Sequence, residues 1–72
     1  MQDSYPRLEV DEEVDTAYLY FKNICEGEAV KQFSVTNKNG DTVLVVDLSQ
    51  RGEILGIEFL NARTRFPGYF PK

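Results

Sequence analysis

Seventy-two residues make one domain and no more, and a domain of that size buries only about 60% of the surface its unfolded chain exposes. With Cys25 as the single cysteine and no histidine, an internal disulfide and a Cys/His zinc centre are both excluded. The 12 acids against 8 bases leave a net charge of −4, which argues against general nucleic-acid binding, where Lys and Arg neutralise phosphates.

Residues 1–7 are polar, contain Pro6 and read as a flexible lead-in. Leu8, Glu9 and Val10 make a short candidate strand. Residues 11–15 form a turn, because Asp and Glu side chains bond local N–H groups and compete with a strand ladder. Residues 17–21, Ala-Tyr-Leu-Tyr-Phe, are aromatic-rich and read as a strand. Residues 22–27 are a loop ending in Gly27. Residues 28–36 alternate with period two, placing Ala29, Phe33 and Val35 on one face with Lys31 interrupting, and predict a half-buried strand.

Residues 37–41 are a turn cluster in which Asn39-Gly40 suits positions of positive φ. Residues 42–48 carry the strongest strand signal, apolar on both faces before Asp47. Residues 49–52 predict a three-residue bulged hairpin with Gly52 at its left-handed position. Residues 53–60 return as a strand, and Gly56 inside it signals a bulge or a close backbone approach. Pro67, Gly68 and Pro71 exclude a long helix at the end of the sequence.

Consecutive short strands with tight turns pair as antiparallel neighbours. The expected fold is mainly β, a small antiparallel four- to five-stranded meander sheet with at most short helical turns. It divides into a lead-in at 1–7, a single β domain at 8–62 and an aromatic, proline-rich tail at 63–72. One cysteine fits a reducing compartment, no basic-plus-apolar leader opens the sequence, and the longest apolar run, residues 43–46, falls far short of the roughly 20 residues that span a bilayer. A soluble cytoplasmic protein without membrane contact is expected.

The candidate sites each have a plain alternative. Asp11, Glu13 and Asp15 begin like a calcium loop, but no glycine stands at the sixth position and the twelfth is Lys22, so a solvated turn with Asp15 capping amides is the reading. Asp47 and Glu58 invite an acid–base pair. In a three-residue bulged hairpin, however, Asp47 sits opposite Leu55 and Glu58 opposite Leu44, on opposite faces of the sheet. Asp47 is then expected to cap turn amides and Glu58 to face solvent. Cys25 has no histidine to activate it and reads as an ordinary, semi-buried thiol.

Tyr18 and Tyr20 share one strand face, with Ala17, Leu19 and Phe21 on the other. Base stacking on such tyrosines needs more Lys and Arg than Lys22 supplies, so core or interface packing is the expected role. Phe66, Tyr69 and Phe70 lie in a segment too apolar for an idle tail, and are expected to dock on the sheet, on a second subunit or on a partner. Charge is uneven: Glu9, Asp11, Glu12, Glu13 and Asp15 crowd the first third, while only Arg63, Arg65 and Lys72 are charged after Glu58. Such a dipolar surface steers protein partners.

Two stretches, residues 10–19 and 45–60, together resemble the domain of unknown function 2283, a family of small bacterial and phage domains. Asp11, Glu13, Asp15 and Tyr18 match its first motif, and Asp47, Gly52, Gly56, Ile57 and Glu58 match its second. The resemblance spans roughly residues 8 to 62. Val10 stands where the family usually has an aromatic, Ser49-Gln50-Arg51 replaces an acidic turn, and residues 63–72 lie outside the pattern. The resemblance implies a small β-rich fold and no established activity. Through members encoded beside small toxin-like proteins, it also implies an antitoxin-like role.

Taken together, the residues and the resemblance give a non-catalytic protein-interaction module that needs no cofactor or metal. A small enzyme or ligand-binding protein using Asp47, Glu58 and the strand tyrosines is the alternative. The pattern also predicts a homodimer. Residues 42–48 and 54–60 carry apolar side chains on both faces, while residues 61–72 can cover one face at best.

Overall fold

A computed structural model describes residues 4–69. Five strands, β1 (Arg7–Asp11), β2 (Thr16–Tyr20), β3 (Lys31–Thr36), β4 (Thr42–Leu48) and β5 (Ile54–Leu60), precede a one-turn helix α1 (Ala62–Arg65) and a 3-10 turn, Pro67–Tyr69. All five strands join one antiparallel sheet in the order β1-β2-β5-β4-β3. The expected mainly β, four- to five-stranded antiparallel sheet is observed with five strands.

The strand order is not the expected meander. Tight turns join β1 to β2, and β3 to β4 to β5, as neighbours. The ten residues between β2 and β3 are too many for a hairpin, and β2 pairs with β5 instead. Residues 21–30 therefore cross the end of the β4–β5 hairpin to reach the far edge. They are anchored at one end by Phe21 N–H to Leu55 C=O (3.0 Å) and at the other by Val30 N–H to Leu48 C=O (3.0 Å).

Two turns share one construction. In each, a small polar residue closes a five-residue loop: Asn37 N–H donates to Asp41 C=O, and Ser49 N–H to Glu53 C=O, both at 2.9 Å. Its side-chain oxygen accepts from the amides two and four residues on (Asn39 and Asp41; Arg51 and Glu53). A glycine with φ 86°, Gly40 or Gly52, turns the chain back. Gly52 thus holds its expected left-handed position, and in the first turn Gly40 alone, not Asn39, has positive φ.

The register sorts the side chains. One face carries the rows Leu8, Leu19, Ile57, Val46, Phe33 and Val10, Ala17, Phe59, Leu44, Val35. The other carries Arg7, Tyr20, Gly56, Asp47, Gln32 and Glu9, Tyr18, Glu58, Val45, Ser34. Every acid within a strand lies on this second, polar face.

Cover on the apolar face is partial. Ala62 of α1 packs on Ala17, both essentially buried, with Leu8, Val10, Phe59 and Phe66 around them. Phe66 meets Phe59 edge to face, centroids 5.0 Å apart. That cover lies over β1, β2 and β5. Strand β3 is exposed along its whole length, including Phe33 at 60% and Val35 at 48%, so the expected half-burial of residues 28–36 does not hold within one chain. The strand also begins later than expected. Glu28 is drawn into a local turn, its amide donating to Cys25 C=O and its carboxylate accepting from Cys25 N–H and Lys22.

Candidate interaction surfaces

The polar face is built around a missing side chain. Gly56 lies between Tyr20 and Asp47 in the register, and the Tyr18 ring fills the space above it: a Cβ added at Gly56 would stand 2.3 Å from Tyr18 Cε1. Through that notch the Tyr18 hydroxyl reaches across β5 and donates to Asp47 Oδ2 at 2.5 Å. Gln32 Nε2 donates to Asp47 Oδ1 at 2.9 Å. One carboxylate thus links β2, β4 and β3. Partial burial, then the hydrogen bond to Asp47 and its charge, push the Tyr18 hydroxyl well above the ordinary tyrosine range. The Tyr20 ring packs at 4.6 Å from Tyr18, with the Arg7 guanidinium 5.0 Å from its centroid.

Asp47 and Glu58 therefore share a face, which corrects the expectation that they oppose one another. The tip closes as a three-residue loop, but one further residue is inserted at Leu55, so that Leu48 pairs with Ile54 and Asp47 with Gly56. A one-residue shift reverses the face of everything beyond it. Asp47 does not cap the turn amides either; the Ser49 hydroxyl does so. The bulge signal at Gly56 was present in the sequence, and the notch shows that both of its readings apply.

Asp11 and Asp15 are both engaged by backbone amides. Asp11 Oδ1 accepts the Glu13 amide at 3.1 Å. Asp15, at φ 58°, holds the start of α1: its C=O accepts the Ala62 amide (2.9 Å) and its Oδ1 the Arg63 amide (2.8 Å). The expected capping role is thus directed at a helix 48 residues away rather than at its own turn. Among the described residues, no group of three or more His, Cys, Asp or Glu side chains stands in position to hold a metal ion. No described helix is long and apolar enough to cross a membrane.

Of the aromatic tail, Phe66 is committed to Phe59, and Tyr69, 64% exposed, leans on Phe66 with centroids 6.1 Å apart. Phe70 lies outside the described residues. Cys25 is exposed beside the Lys22–Glu28 ion pair, not semi-buried as expected, because its loop turns outward around that pair. The Cys25 amide first, and Lys22 second, hold the Glu28 carboxyl below its usual range, while Glu28 raises Lys22. An open groove of about 460 Å³ is lined by Glu9, Asp11, Glu12, Glu13, Tyr18 and Tyr20, but not by Asp47 or Glu58.

The bare part of the apolar face, carried by β3 and β4, is the surface that sequence reasoning left out of its site residues. Phe33, Val35, Leu44, Val46 and Leu48 form it, with Lys31 as its one charge. Period-two alternation identified which residues share the face; nothing in that pattern says how far the rest of the chain extends over it.

The family profile described as "Protein of unknown function (DUF2283)" matches residues 7–63, most of the chain. No curated protein and no solved structure matches. The chain belongs to the DUF2283 family.

Proposed function

We propose that the chain is a non-catalytic protein-interaction module that docks another polypeptide on the β3–β4 half of its apolar face. The observation that carries this is the exposure of Phe33 and Val35 beside Leu44 and Val46, on a sheet face without a single acid. Burying that patch contributes on the order of 10 kcal/mol at about 25 cal/mol per Å², before the entropy of association is subtracted. An antitoxin-like role, in which the module also binds a small toxic protein at a surface other than this patch, is the wider role that the charge asymmetry and the family resemblance support; a toxin-like reading frame beside the gene would strengthen it.

The test is a photo-crosslinking residue at position 33 in the native cell, with position 34 as the control. Side chains at 33 and 34 point to opposite faces of β3. Adducts formed at 33 and not at 34 are expected. An absence of adducts at 33 would refute the docking reading.

Ligand binding or catalysis on the polar face is the second reading, supported by the convergence of Tyr18, Tyr20, Asp47 and Glu58 there. It requires a pocket joining the two acids to the tyrosines. The open groove beside the tyrosines leaves both acids out, and Asp47 is already engaged by Tyr18 and Gln32. A metabolic operon around the gene would favour it.

A further inference from the structure

We infer that the occupant of the bare apolar half is a second copy of this chain, packed face to face about a two-fold axis so that the two sheets form a β-sandwich. The inference rests on the docking reading above and names its partner. Two observations carry it.

The first is charge. A chain of net charge −4 repels its own copies wherever acids approach. Yet Glu9, Asp11, Asp47 and Glu58, the acids within the strands, all lie on the polar face. The β3–β4 half of the other face offers only Lys31 at its corner. Two copies can approach through that surface without bringing the strand carboxylates together.

The second is area. Phe33 at 60% and Val35 at 48% exposure, with the half-buried Leu44, Val46, Leu48 and Ile57, make a patch on the order of 400 Å², within the range in which surface patches are functional. Two such patches in contact remove roughly 800 Å² of apolar surface. With the surrounding backbone and polar rim, the interface reaches about 1,200 Å², the lower end for stable specific association. An isologous contact needs one self-complementary patch, and an apolar surface of aliphatic side chains with the Phe33 ring at its β3 edge provides it. Sheets packed this way stand about 10 Å apart with their side chains interdigitating.

Light scattering on the purified full chain at low micromolar concentration tests the inference. The expected mass is twice 8.3 kDa. Phe33→Glu or Val35→Lys should return it to 8.3 kDa with an unchanged β-type circular dichroism spectrum, because both positions are exposed in the single chain. Ser34→Glu, on the opposite face of the same strand, should leave the doubled mass intact. A wild-type mass of 8.3 kDa overturns the inference, as does a dimer that survives Phe33→Glu. Dissociation by Ser34→Glu alone overturns the face-to-face arrangement, since it would place the contact along the β3 edge. A monomer that still forms adducts with another protein through position 33 ends the second-copy inference and leaves the docking reading standing; a monomer without adducts ends both.

Discussion

Leu19, Ile57, Val46 and Phe33 run across one face of the sheet; Tyr20, Gly56, Asp47 and Gln32 run across the other. The first row coheres through removal of apolar surface from water, a force with little directional preference. The second coheres through the Tyr18 and Gln32 bonds to Asp47, which form only if three strands stand in one register. The apolar face therefore supplies most of the stability, and the polar face selects among registers of similar stability. A molecule only 16 Å deep in its shortest dimension depends on both, because it has a single sheet in which to gain either.

Three experiments sharpen that contrast. Leu55, fully buried at the bulge, is the largest completely enclosed side chain among the described residues. Leu55→Ala should cost about 2–5 kcal/mol, a large part of the stability of so small a domain, measured by urea denaturation. Gly56→Ala should cost about 1–3 kcal/mol by driving the added methyl into the Tyr18 ring and breaking the link to Asp47. Adding Tyr18→Ala to Gly56→Ala should then cost less than Tyr18→Ala does in the wild type, and simple additivity would show that the notch is not what matters.

Tyr18→Phe should cost least, about 1–2 kcal/mol, or a fall in Tm of several degrees, and should do so in a pH-dependent way. Its folded-state pKa lies above the ordinary 10.0, so the unfolded chain loses the tyrosine proton first. The stability that the protonated hydroxyl contributes is complete below about pH 10 and declines as the pH rises beyond it. The difference in Tm between wild type and Tyr18→Phe should therefore shrink between about pH 8 and about pH 11. A constant difference would show that the hydroxyl is not held by Asp47.

The strands were legible because their signals are local. Alternation, β-branched content and the Gly52 turn are all read within a few residues. What escaped were relations between distant residues. Asp15 caps amides at 62 and 63, which no window around it contains. The facing of Asp47 hangs on one inserted residue at Leu55, and Gly56 marked the place without stating the shift. The pairing of β2 with β5 follows from the length of the connection between β2 and β3 rather than from any pattern inside a strand. β3 starts later than the alternation indicates, because Glu28 continues the pattern while its side chain is drawn back to Lys22 and Cys25.

The seam between β2 and β5 also sets a sequence of events in time. Each of the other three ladders joins neighbours through a turn of about five residues, and such hairpins form in microseconds. The seam must bring Tyr20 to Gly56 across some 35 intervening residues, at a closure cost of about 3 kcal/mol from (3/2)RT ln n. The β1–β2 hairpin and the β3–β4–β5 unit should therefore exist as separate, transient pieces before they meet. The slowest of the four strand pairings is then the joining of two halves at the middle of the sheet, where the Tyr18 ring crosses from one piece to the other.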